Sequence, residues 1–168
     1  MAIEIQILEW RKVEKMNQKV EQLAIEFRMA IEKVKEAGEF ETDFSFSKFP
    51  SACCGDASDL LAQYLLENGI KSTYVCGNRY FNNPKEGTQS HAWLLVNGLI
   101  VDITGDQFKY NDMYYNYDIK VYVGKEDAFH SLFEVEERDI HEFYGLENYD
   151  HTYQSRLFDL YEKIKRYC

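Results

Sequence analysis

The sequence predicts an α+β domain: a central helix packed on an antiparallel sheet, with a long helix before it and a shorter one closing the chain. Three patterns carry that expectation. Apolar residues recur at steps of three and four from Val13 to Val34, the spacing of one helix face. A second helical stretch runs through Ala57, Leu60, Leu61, Tyr64 and Leu65 to a stop at Asn68-Gly69. Two strand-like runs, 91–96 and 99–104, flank Asn97-Gly98, the strongest short-range hairpin signal a sequence offers.

The chain has 168 residues, 45% hydrophobic and 15% aromatic, enough for one well-buried core. With no repeat, linker or low-complexity tract, a single domain over 1–168 is expected. Within it, 1–38 form an N-terminal helical extension and 50–108 carry the chemical motifs. Twenty-nine acidic residues against nineteen basic ones give a formal net charge of −10. That balance disfavours a nucleic-acid backbone or an anionic membrane as partner and is compatible with a peptide or protein substrate. The first residues lack the basic start and apolar core of a signal peptide, and no apolar run is long enough to span a membrane. Of the four cysteines, two are adjacent and one is terminal, which is no disulfide framework, so a reducing cytoplasm is the expected compartment.

Taken in order, the first helix carries Val13, Met16, Val20, Leu23, Phe27, Ala30 and Val34 and ends at Ala37-Gly38. Ile31 widens the stripe enough to pack on the core, and a coiled-coil seam joining two copies as a homodimer is the alternative. Phe40, Phe44 and Phe46 read as anchors of the following loop. Pro50 holds the residue before it extended, which starts the second helix near Cys54. Residues 70–77 have the β-branched and aromatic content of a strand. Residues 78–89, with Asn82-Asn83-Pro84 and Gly87, read as a long mobile loop bordering the site. Beyond the hairpin, Tyr110, Tyr114, Tyr115 and Tyr117 read as half-buried sheet residues, and 119–123 resume a strand. Tyr153, Leu157, Leu160, Tyr161 and Ile164 mark the closing helix, with Lys163, Lys165 and Arg166 suited to its negative end.

A thiol at the start of the second helix faces unpaired backbone N–H groups and the positive end of the helix dipole, which favour the thiolate. The two-residue turn at Asn97-Gly98 pairs Val96 with Leu99 and Trp93 with Asp102. Side chains alternate along a strand, so His91 and Asp102 become diagonal neighbours on one face, within reach of a hydrogen bond. If the thiol helix packs against that face, Cys54, His91 and Asp102 stand as nucleophile, base and orienter. His130, His141 and His151 read as surface or structural residues. A zinc site from Cys53, Cys54 and His91 is the metal alternative, but adjacent cysteines lack the usual ligand spacing. No cofactor is required by the triad chemistry.

Over about a third of the chain, from Pro50 to Phe108, these residues resemble the transglutaminase-like superfamily of papain-type cysteine enzymes. The family's nucleophilic Cys is followed at fixed offsets by a small residue, a Leu pair and a Gly, matched here by Cys54, Ser58, Leu60-Leu61 and Gly69. Its second motif is His-Ala-Trp and its third Asp-x-Thr, matched by His91-Ala92-Trp93 and Asp102-Ile103-Thr104. The resemblance implies a papain-like core, catalytic Cys54, His91 and Asp102, and acyl transfer on amide bonds. A cysteine peptidase or amidase is the favoured activity; protein transglutaminase or deamidase is the alternative, and an inert binding or assembly module is a third. Ala52 stands where the family commonly has a glycine. Gln107, Gln89 or a glutamine of the first helix would complete the oxyanion hole, beside the Cys54 backbone N–H.

Overall fold

The computed structural model describes residues 2–83 and 87–168. It is an α+β structure of three α-helices and a five-stranded, wholly antiparallel sheet. The helices are α1 (Ala2–Glu36), α2 (Cys54–Glu67) and α3 (His151–Lys165); the strands are β1 (Thr73–Tyr80), β2 (Thr88–Val96), β3 (Leu99–Asp102), β4 (Tyr122–Gly124) and β5 (Ile140–Glu142). Their order across the sheet is β4-β3-β2-β1-β5. No helix among the described residues is long and apolar enough to cross a membrane.

The sheet divides two hydrophobic clusters. One face, with Leu94, Val96 and Val101, packs against the apolar sides of all three helices, including Phe27 and Ile31 of α1, Leu60 and Leu61 of α2, and Leu157 and Tyr161 of α3. The other face, with Val75, Trp93 and Ile100, is covered by Phe108, Tyr114, Tyr117, Phe129 and Phe133 from the segments around β4. The expected α1 stripe is buried from Val20 onward, so that half serves the chain's own core. Toward the N-terminus the same helix, about 50 Å long at 1.5 Å per residue, leaves Val13 and Met16 exposed.

The β2–β3 hairpin has the expected register, Val96 opposite Leu99 and Leu94 opposite Val101. Asn97 and Gly98 both have positive φ, at 52° and 74°, as a type I′ turn requires. Four expectations are corrected. Residues 78–80 and 88–90 are strand, paired up to Tyr80 opposite Thr88, so of the expected loop only 81–83 and 87 lie outside strands among the described residues; Pro84 lies outside the described residues. Polar side chains on both faces hide these strand ends from any alternation pattern. The tyrosine-rich stretch is not sheet but 3₁₀ turns at Gly105–Phe108 and Asp112–Tyr114, the second capped by Asn111. Tyr114 and Tyr117 are buried there, while Tyr110 and Tyr115 are exposed. Phe40 and Phe46 are buried anchors, but Phe44 is 81% exposed, with the Lys48 ammonium 4.5 Å from its ring centroid. Finally, the strand expected over 119–123 is shifted to β4, Tyr122–Gly124, with 119–121 outside it; β5, a three-residue edge strand, has no sequence signal of its own.

Candidate active site

The turn before α2 is shaped to present a thiol. Ala52 adopts φ 60°, the left-handed region where a glycine is least strained. Cys53 takes the N-cap position and Cys54 the first turn of the helix. Their side chains diverge. Cys53 is buried in the main core, its Sγ donates to the Pro50 carbonyl at 3.4 Å, and burial pushes its thiol well above the ordinary range. This separation removes the zinc alternative.

Cys54 instead reaches His91. Burial raises its pKa, but the hydrogen bond to the His91 side chain, the charge on that ring and the N–H of Ala92 together carry it below the ordinary thiol value. The approach differs from the expected one. His91 packs in tilted and edge-on contacts with Trp93, Phe108, Phe129 and Phe133 on the face opposite the helices, whereas α2 packs on Leu94 and Val96. The meeting is possible because β3 ends at Asp102 while β2 continues back to Thr88. The Ala92 N–H, on a part of β2 that β3 does not pair, bonds Cys54, so the thiol approaches His91 along that open edge.

His91 Nε2 lies 2.7 Å from Asp102 Oδ2, and both side chains are fully enclosed. Asp102 is held far below the usual carboxylate range: burial opposes this, but the His91 charge and hydrogen bonds from His130 and His91 outweigh it. An ionised carboxylate only accepts, so Nε2 carries the proton and Nδ1 is left to face Cys54. Burial alone would lower His91, but the Asp102 charge and hydrogen bond and the neighbouring Cys54 drive it well above the ordinary imidazole value. The two shifts point the same way, each favouring the charged form, thiolate on Cys54 and imidazolium on His91.

Supports around Asp102 fix it from several elements. Its Oδ1 accepts from the Thr104 backbone N–H at 2.8 Å and from Thr104 Oγ1 at 3.3 Å. The chain just beyond is clamped by Arg28 of α1, which donates to the Ile103 carbonyl at 2.6 Å and to both oxygens of Asp106 at 2.7 and 2.8 Å. Gly105 leaves room here: a Cβ would fall 2.7 Å from the Tyr117 ring and 3.0 Å from Asp102 Oδ2. On the other side, Asp56 in the first turn of α2 accepts from Arg156 and Tyr153 of α3 at 2.7 and 2.8 Å, so α3 holds the thiol's helix in place.

Above the thiol lies a cleft of about 650 Å³, lined by Ser45, Ser51, Cys54, Thr88, Ser90 and Gln107 among others. Of the glutamines considered for an oxyanion donor, Gln107 lines the cleft, but its amide nitrogen is already engaged. Its Nε2 is 3.0 Å from the Thr104 carbonyl and 3.2 Å from His91 Nδ1. Gln89 also lines the cleft, and its Oε1 accepts from the Tyr114 hydroxyl at 2.7 Å, whereas Gln22 of α1 borders separate pockets.

One participant was not legible beforehand. His130 is completely buried, with Nε2 3.2 Å from Asp102 Oδ2 and Nδ1 2.6 Å from Asp127 Oδ1. His91, Asp102 and His130 are the one group among the described residues whose donor atoms converge as metal ligands would. Their 2.7 and 3.2 Å separations are hydrogen-bond lengths, satisfied by ring N–H groups on a carboxylate without an ion. In comparisons with known proteins, the chain matched no family model, no curated protein and no solved structure.

Proposed function

We propose that this protein is a cysteine-dependent acyl-transfer enzyme acting on amide bonds of a peptide or protein, of the transglutaminase-like kind, and most simply a peptidase or amidase. The observation that carries this reading is the continuous hydrogen-bonded chain from a helix-start thiol with a lowered pKa, through His91, to the buried carboxylate of Asp102. A structural thiol or histidine has no need of that sequence of partners.

In the proposed reaction the Cys54 thiolate attacks the amide carbonyl carbon. His91 gives its Nδ1 proton to the leaving nitrogen as the C–N bond breaks, which leaves a thioester on Cys54. Water then attacks the thioester carbonyl, His91 takes a proton from it, and the C–S bond breaks to release a carboxylic acid and restore the thiolate. Asp102 holds the imidazole with Nδ1 toward sulfur throughout. The Cys54 backbone N–H, at the helix start, is the donor that would stabilise a developing oxyanion, and such a donor contributes about 10²–10³ in rate. A cleft of about 650 Å³ falls in the ordinary range for a ligand site.

The test is incubation of wild type and Cys54→Ala with a mixed peptide digest, with and without an added primary amine, read by mass spectrometry. New peptide termini that need Cys54 support hydrolysis. Amine adducts on glutamine that need Cys54 move the reading to transamidation. Neither product, with no acyl-enzyme on Cys54, would overturn it in favour of an inert module.

A further inference from the structure

We propose that His130, held by Asp127, is a positioning residue of the same site that limits the basicity of His91 by sharing the Asp102 oxygen on which His91 depends. The inference rests on the reading of Cys54, His91 and Asp102 as one catalytic unit. His130 itself touches no part of the cleft, so it acts only through Asp102.

The geometry separates two possible roles for this second histidine. If His130 served only to orient Asp102, it would be redundant, because Thr104 already holds Oδ1 through its backbone N–H and its hydroxyl. His130 bonds the other oxygen, Oδ2, the one His91 uses. Two ring N–H donors on one oxygen compete for the same electron density, so each bond is weaker than it would be alone. Asp127 makes the competition persistent. Its Oδ1 accepts from both the backbone N–H and Nδ1 of His130, at 2.8 and 2.6 Å, and its Oδ2 accepts from Tyr117 at 3.1 Å. His130 is thus aimed at Asp102 by a carboxylate on its own turn and enclosed by the rings of Trp93, Tyr117, Tyr122 and Phe129.

The titratable groups facing His130 are Asp127 on its own segment, Asp102 on β3, His91 on β2, Tyr117 before β4 and Tyr122 on β4. The tyrosines are pushed upward by burial and by Asp127, so they stay neutral through the pH range of interest. The carboxylates are held below theirs. This leaves His91 and Cys54 as the partners whose titration His130 can alter. A shared Asp102 keeps the imidazolium of His91 able to release its proton to a leaving amine, a step that an unshared carboxylate would oppose.

The test compares wild type, His130→Phe and Asp127→Asn. His130→Phe keeps an aromatic ring among the surrounding rings, and Asp127→Asn alters a partly exposed side chain, which keeps the question answerable if the first variant folds poorly. Two readouts are taken. In a Cys54→Ser background, the four histidines are titrated by NMR, which needs no reactive thiol. With Cys54 present, the pH profile of its alkylation by iodoacetamide is followed. The expected result is that the His91 midpoint rises by about one pH unit in His130→Phe, the size of one hydrogen bond to a charged group, and by less in Asp127→Asn. The acid limb of Cys54 alkylation falls correspondingly. A His91 midpoint unchanged or lowered in a folded variant would overturn the proposal. Slow, ordinary alkylation of wild type together with a raised His91 midpoint would leave the coupling standing and overturn the enzyme reading instead.

Discussion

His91 Nε2 stands 2.7 Å from Oδ2 of Asp102, a contact between side chains eleven positions apart that neither water nor ligand can reach. Its consequence is electrostatic. Asp102→Asn keeps the shape but removes the charge that raises His91. The expected outcome is that the acid limb of Cys54 alkylation moves up by at least about one pH unit. Turnover of any accepted substrate should fall by as much as about 10⁴-fold, the cost of a mis-set tautomer in comparable triads. An alkylation profile unchanged from wild type would show that Asp102 does not govern the ring.

Ala52 offers a test of the turn that carries the thiols. An L-residue other than glycine at φ 60° is strained by about 1–2 kcal/mol. Ala52→Gly is expected to stabilise the protein by about 0.5–1 kcal/mol, after part of the relief is offset by the freer unfolded chain. Urea denaturation midpoints read it. A loss of stability would mean that the Ala52 methyl makes contacts that outweigh the strain.

Asp59 is expected to make the protein more stable in mild acid. Burial raises it from 3.8 to about 6, although the Tyr149 and Tyr153 hydroxyls on its oxygens pull the other way. The native state therefore binds a proton near pH 6 that the unfolded chain takes up only near 3.8. Stability from this group is lowest above about 6, rises as pH falls through that value, and levels off below about 4. The full span is on the order of 3 kcal/mol. Asp43, Glu32 and Glu67 shift downward and lose stability only below their unfolded values of 3.8 to 4.5, so the windows barely overlap. Thermal midpoints measured against pH should show the Asp59 limb in wild type and lack it in Asp59→Asn, which should be the more stable protein at neutral pH.

The parts legible in the sequence are those where one local rule decides the geometry. Asn97-Gly98 fixes the β2–β3 register, and with it the pairing of His91 with Asp102. Pro50 and the apolar spacing after Ala57 set the start of α2 and so the place of Cys54. What stayed hidden depends on contacts between distant segments. The edge approach of Cys54 to His91 follows from β3 stopping at Asp102 while β2 runs on, and the extra residues of β2 are polar on both faces. His130 joins Asp102 across 28 positions, and no periodicity encodes that. The available signal was Asp127, three residues before it, at a spacing that brings carboxylate and imidazole together on one turn. The tyrosines at 110–117 have strand-like composition, but Asn111 caps a 3₁₀ turn and ends the strand reading.

The most direct measurement is residue-resolved alkylation of the protein by iodoacetamide as a function of pH, with Cys53 and Cys54 quantified separately in wild type, Cys54→Ala, Cys53→Ala and His91→Ala. Of the two, Cys54 has the hydrogen bond to His91 that lowers its thiol, while Cys53 is raised by burial. The expected result is fast labelling of Cys54 with a midpoint below the ordinary thiol value of about 8.5, silence at Cys53, survival of the Cys54 signal in Cys53→Ala, and its marked slowing near neutrality in His91→Ala. Rapid pH-dependent labelling that persists in Cys54→Ala and vanishes in Cys53→Ala, or equal slow labelling of both thiols, would contradict it.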